Sequence, residues 1–322
     1  MNKLALLSAA LRLIAVTCLP AAPAHAAAIT WVADAGSSDS NPCTNPAPCQ
    51  TLTHALSLTD PGGEIRILGQ GSFGGVIIKK SVSIISDTSQ GGVLAKPSTA
   101  AILIQASPTD VINLRGLIIE GAVAGTAGIR FESGAALHVQ NSVIRGFQSN
   151  AADTGYGIQF ITTGTSDLFV SDTLIADNGA IVGNLHIGGG IWIVPNGGSA
   201  RVALDRVHVE KNIVGINADS RSASAIAVTV WDSVVAGNMD AGIVVTSKGH
   251  PNTVVIDRSA VVNNYDVGIQ SDGTGSTVYV GNSTISGNAT GLRAVNAGVL
   301  TSQMNNAVVG NKLNVEEPAS TQ

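Results

Sequence analysis

One asparagine returns at a nearly fixed interval along the chain, at Asn178, Asn212, Asn238, Asn264, Asn288 and Asn311, with spacings of 34, 26, 26, 24 and 23 residues. The same pattern surrounds each anchor. An aliphatic residue lies three positions before it (Ile175, Val209, Val235, Val261, Ile285, Val308), and before every anchor but the last apolar pairs lie ten and eight positions ahead, such as Val228 and Val230 or Val254 and Ile256. Alternation with period two is the mark of a strand. A Gly-aliphatic pair follows every anchor but the last: Gly190-Ile191, Gly215-Ile216, Gly242-Ile243, Gly268-Ile269 and Gly291-Leu292. Two weaker copies come earlier, LRGLIIEGA from Leu114 and VQNSVIRGF from Val139, with Ala122 and Phe147 in the anchor place.

A unit of about 25 residues with three short strands and no helical segment cannot bury its apolar face alone, so the copies must stack. The pattern therefore predicts an all-β chain, a single-stranded parallel β-helix solenoid of about 11 coils. Asparagine suits a corner of such a coil, because it tolerates left-handed backbone and its amide can bond the coils above and below. The anchors are read as structural. A sandwich or propeller would need regular Asn-Gly or Asp-Gly turns, which are scarce. A leucine-rich repeat would need a helix in each unit.

The composition supports this reading. With 322 residues, 44% hydrophobic but only 3% aromatic, the core must be built from Val, Ile, Leu and Ala. A net charge of -5 without a Lys/Arg cluster argues against a nucleic-acid partner. Residues 1–26 read as a cleaved signal peptide, with Lys3, an apolar run from Leu4 to Leu19 broken by Arg12, and Ala24-His25-Ala26 as the cleavage site. That run is short and interrupted for a membrane anchor, so an exported protein free of the membrane is expected, periplasmic or extracellular. Three segments follow the signal: an N-terminal cap at 27–60, the β-helix at 61–315, and a polar tail at 316–322.

Within the cap, Cys43 and Cys49 of CTNPAPC are expected to form a disulfide. Zinc would need more ligands than the neighbouring His54 supplies. In QTLTHALSLT, residues 50–59, Leu52, Ala55 and Leu56 fall at helical spacing and predict a short capping helix over the first coil. Asp34, Asp39 and Asn41 are the residues a calcium ion would use, but their spacing matches no EF-hand loop, and a capped acidic turn is the preferred reading. No metal or other cofactor is expected.

WVADAGSSDSNPCTNPAPCQTLTHAL, followed by PGGEIRIL and the recurring NST-I-x-GN-x-x-G-I/L pattern, resembles the right-handed parallel β-helix superfamily that includes pectate lyases and polygalacturonases, especially its secreted bacterial members. The resemblance spans residues 29–315 and implies a right-handed coil. It does not fix an activity, since this fold hosts lyases, hydrolases, epimerases, tailspikes and adhesins. The N-T-D, D-D, G-H-G and R-I-K motifs of polygalacturonases are missing; the nearest strings are Ser171-Asp172-Thr173 and Lys248-Gly249-His250-Pro251. Neither the acidic calcium cluster of pectate lyases nor the D-P-H-D string of alginate epimerases is present.

Stacking in register turns sequence columns into surfaces, with neighbours about 4.8 Å apart. Six positions before the anchor the column reads Asn141, Asp172, Arg206, Asp232, Arg258, Asn282 and Asn305, a charge-compensated ladder. One position earlier, Trp231 falls between Asp205 and Asp257, and His138, Phe169 and Tyr279 share its outward face. This face is the candidate sugar-contact surface, with Trp192 as a further outward aromatic beside the longest insertion, DNGAIVGNLHIGGGIWIV from Asp177. Asp205 and Asp257 are the candidate catalytic pair, two coils or about 10 Å apart, slightly beyond inverting-glycosidase spacing. Their neighbours Arg206 and Arg258 count against a general-acid role. The favoured function is a non-catalytic binder of polysaccharide or another cell-surface partner. The alternatives are a diverged lyase or hydrolase acting on an acidic glycan, and an adhesive rod without a small-molecule site.

Overall fold

The computed structural model describes residues 27–34, 36–86, 91–122, 124–220, 224–316 and 320–321, so the signal-peptide reading of 1–26 lies outside the described residues. Strands of successive coils stack in parallel into three sheets of 12, 10 and 10 strands. Each coil contributes one strand to each sheet, giving ten complete coils against the 11 or so expected. The first sheet extends past the predicted solenoid limits, because Ala27–Ala33 and Ser320–Thr321 add a strand at either end. Val202, Val228, Val254, Val278 and Leu300 form one continuous aliphatic stack inside.

The anchor asparagines line the corner between the second and third sheets. Nδ2 of Asn178 donates to Oδ1 of Asn212 at 2.9 Å, and the relay continues through Asn238, Asn264, Asn288 and Asn311 at 3.2, 2.8, 3.0 and 2.9 Å. Each Oδ1 also accepts the backbone N–H of the previous anchor, which satisfies donors that the turn buries. The expected left-handed backbone is found one residue earlier than the anchor, at Asp177, Lys211, Gly237, Asn263, Gly287 and Gly310. The anchor itself must keep its side chain aimed along the stack. The recurring glycine after each anchor follows from the same crowding: a Cβ on Gly242 would lie 2.6 Å from the Gly268 carbonyl oxygen and 2.8 Å from Nδ2 of Asn264.

The corner between the first and second sheets is left-handed as well, at Asn141, Asp172, Arg206, Asp232, Arg258 and Asn282. Beside it runs a second buried ladder that the sequence reading did not single out. The hydroxyls of Ser233, Ser259 and Ser283 accept the backbone N–H of Val207, Ser233 and Ser259 at 3.0, 3.2 and 3.1 Å.

The N-terminal edge is closed twice. Cys43 and Cys49 are bridged, and their loop bonds to the first strand through Trp31 N–H to Cys43 C=O (2.9 Å), Cys49 N–H to Trp31 C=O (3.0 Å) and Ala33 N–H to Cys49 C=O (2.9 Å), so the free edge is covered. The helix forms at Leu52–Leu58 and buries Leu52, Ala55 and Leu56 over the end of the stack. Asp39 holds the two parts together. Its Oδ1 accepts the N–H groups of Gln50 and Thr51, both at 2.9 Å, and its Oδ2 accepts the Thr51 hydroxyl at 2.8 Å. Thr51 is in turn the helix N-cap, accepting from His54 N–H.

Burial alone would raise the Asp39 pKa, but the bonds from Thr51 and Gln50 outweigh it and hold the carboxyl below its usual range. A depressed native pKa gives stability that is complete above the unfolded value and is lost as pH falls through the folded one. Asp39→Ala is therefore expected to cost about 1–2 kcal/mol at pH 7, with the gap from the parent closing below about pH 4, as read by denaturant melts across that range.

Candidate functional site

The outward face of the first sheet is built as the columns predicted. Asp205, Trp231, Asp257 and Gly281 are register partners in successive coils, and Thr229, Val255 and Tyr279 stack beside them. Between Trp231 and Tyr279 the face sinks into a hollow of about 310 Å³ lined by Val255, Asp257, Arg258 and Gly281, with Gln303 beyond Gly281. It exists because Gly281 offers no side chain where the three coils above carry Asp257, Trp231 and Asp205. Trp231 is half-buried and Tyr279 is exposed, so one aromatic is held firmly and the other stands clear.

The charges alongside are paired. Arg206 gives Nε and Nη2 to Asp172 at 2.7 and 3.0 Å and Nη1 to Asp205. Arg258 repeats this two coils on, with Nε and Nη2 to Asp232 at 2.9 and 3.0 Å and Nη1 to Asp257 at 2.7 Å. The hydrogen bonds from Arg206 and Arg258 hold the Asp172 and Asp232 carboxyls below their usual range, and the same bonds raise both guanidinium groups. Asp257 also accepts the Asn282 amide at 2.7 Å. Asp205 and Asp257 thus lie on either side of Trp231, each already engaged by an arginine. This arrangement can bond sugar hydroxyls, but it leaves neither carboxylate set up to donate a proton.

His138 and Phe169 stack on each other at 4.6 Å on the same face, and Ala203 separates them from the coil of Trp231. Burial lowers the His138 pKa against the opposing pull of Asp167. These two rings form a separate aromatic step above the hollow.

Trp192 does not join them. It belongs to the third sheet, is only 5% exposed, and stacks on Tyr156 at 4.9 Å, so it packs against a neighbouring ring where a surface position was expected. The long insertion beside it forms an antiparallel hairpin, Ala180–Val182 with Leu185–Ile187, tied down by His186 Nδ1 to Asp240 Oδ2 at 3.2 Å. Hairpin and loop 148–156 both rise at the asparagine corner, which the first sheet does not border. They flank two adjoining hollows of about 410 and 430 Å³ that share Gln148 and Asp177, and they wall nothing beside Trp231. The sequence puts a glycine at 281, one coil on from Asp257, but does not give the cavity beside it, because depth depends on the length of the flanking side chains.

Among the described residues, Cys43, Cys49 and His54 are the one group of three metal-ligand types within mutual reach, their ligand atoms within 4.8 Å of one another. The disulfide occupies both sulfurs. The Asp39 carboxylate is engaged by Gln50 and Thr51, as a capped turn requires. No helix of the described residues is long and apolar enough to cross a membrane.

The sequence model for the right handed beta helix region matches residues 100–285, more than half of the 322-residue chain. The chain belongs to that family, and its coil is right-handed. Among solved structures it is similar to pectate lyase Pel9A, with a TM-score of 0.66 and 15% identity over 91% of this chain and 81% of the other. It is also similar to an alginate lyase from Paenibacillus sp. str. FPU-7, with a TM-score of 0.51 and 15% identity over 90% of this chain and 99% of the other. At such identities the likeness is one of fold. No curated protein sequence matches the chain.

Proposed function

We propose that this protein is an exported glycan-binding β-helix that seats a sugar unit in the hollow between Trp231 and Tyr279. The carrying observation is the hollow itself, an aromatic-walled recess with a carboxylate and an amide at its floor and rim. Aromatic faces supply apolar contact for a sugar ring, while Asp257 and Gln303 offer an acceptor and a mixed donor-acceptor to its hydroxyls. The pectate and alginate lyases that share the fold are named for polysaccharides, which supports a polysaccharide as the class of ligand; at 15% identity the likeness carries nothing about the charge of its sugars. A disulfide and a charge-poor, stacked scaffold suit a protein working outside the cytoplasm. A binding role is favoured over a catalytic one because Asp205 and Asp257 are both ion-paired.

Trp231→Ala removes one wall of the recess. It is expected to weaken binding to an immobilised glycan roughly 10- to 100-fold, the loss of one central aromatic contact, with the thermal midpoint little changed. Equal retention of Trp231→Ala and the parent in affinity gels, over a panel of plant and microbial polysaccharides, would remove the assignment.

A further inference from the structure

Resting on that reading, we infer that the hollow selects uncharged sugar units and discriminates against uronic acids. The observation is the electrostatic balance of the corner beside it. Two guanidinium groups, Arg206 and Arg258, are shared among four carboxylates, Asp172, Asp205, Asp232 and Asp257, leaving an excess of two negative charges along one edge of the face. Each arginine already spends Nε, Nη1 and Nη2 on two aspartates, so the bidentate fork that would grip a sugar carboxylate is taken. The next cation on this face, Arg201, is committed in the same way to Asp167 at 2.6 and 2.9 Å.

Asp257 and Arg258 both line the recess, but the Arg258 fork is held by Asp232 and its remaining arm by Asp257, so a uronate lying across Trp231 and Tyr279 would bring its carboxylate against a guanidinium already shared by two carboxylates and against Asp257 itself, which is 30% exposed. Like charges at that separation repel, and the chain's overall charge of -5 adds no compensating field. An uncharged hexose meets no such repulsion. Its hydroxyls find acceptors in the Asp257 carboxylate and the Gln303 amide, and its apolar face finds the two aromatic walls. Specificity therefore comes from a repulsive element as much as from the attractive ones.

The test titrates the folded, disulfide-intact protein by calorimetry with matched oligosaccharides. Neutral hexamers of glucose, mannose, xylose and galactose are compared with hexagalacturonate and a hexameric alginate, at low and at high salt. The expected result is binding of at least one neutral hexamer, with both acidic ones at least tenfold weaker at low salt and the gap narrowing as salt screens the edge. Acidic hexamers binding as tightly as neutral ones, or more so, with sensitivity to Trp231→Ala would overturn the selectivity while leaving the glycan-binding site intact. Heat-silent titrations with every sugar, alongside polysaccharide gels insensitive to Trp231→Ala, would overturn the site itself.

Discussion

Asn238→Ala is expected to destabilise the protein by roughly 3–5 kcal/mol, the sum of two or three buried polar groups each left unpaired at about 1–3 kcal/mol. Asn238 is 1% exposed and serves three partners. Its Oδ1 accepts Asn212 N–H at 3.0 Å and Asn212 Nδ2 at 3.2 Å, and its Nδ2 donates to Val209 C=O at 3.3 Å and to Asn264 Oδ1 at 2.8 Å. Alanine supplies none of these bonds, and the tight turn excludes the water that would replace them. In a stack where each coil touches only its neighbours, the damage should be local as well as large. Hydrogen exchange should therefore show the Asn212 amide losing protection first, alongside a drop in melting temperature on the order of 10 °C. Asn311→Ala is the internal control. That residue is the last of the recurring anchors, it passes its amide on to Oδ1 of the exposed Asn314 at 3.2 Å, and it is itself partly exposed, so solvent can satisfy Asn288 N–H and the cost should stay near 1 kcal/mol. Equal effects at the two positions would contradict the ladder account.

The fold was legible in the sequence because a solenoid writes each coil's constraints locally. The aliphatic residue before each anchor, the anchor itself and the glycine after it are fixed by contacts to the next coil, and they recur at the coil's own period. The same locality explains what was displaced. Asn238 was expected to adopt the left-handed conformation, whereas the structure puts it on Gly237, since sequence periodicity finds a corner but does not say which of its residues turns. Trp192 was expected on the surface, yet it is only 5% exposed and stacks on Tyr156. Exposure depends on what packs over a column, and a single coil does not encode that. The surface site was half legible for the same reason: the aromatics stood out, and the space between them did not.

That space gives the sharpest functional test. Gly281→Leu is expected to abolish glycan binding, by 100-fold or more, while leaving stability within about 1 kcal/mol of the parent. Glycine in this protein is often obligatory, as at Gly242, where a Cβ would meet backbone at 2.6 Å. Gly281 differs. Its φ lies outside the left-handed region, and an added Cβ meets Oε1 of Gln303 at 3.0 Å, the end of a side chain that can swing aside, while Oδ1 of Asp257 at 3.6 Å is in ordinary contact. The backbone does not require glycine there, and the position directly above it carries Asp257. A leucine would project from the floor of the roughly 310 Å³ recess and fill the volume a sugar ring needs. The change leaves Trp231 and Tyr279 in place and adds apolar surface, so a site that worked by stickiness alone would bind as well or better. Paired with Trp231→Ala in the same affinity gels and thermal melts, it separates loss of a wall from loss of the space between the walls. Undiminished binding by a Gly281→Leu protein of parental stability would show that the ligand is not seated in this recess.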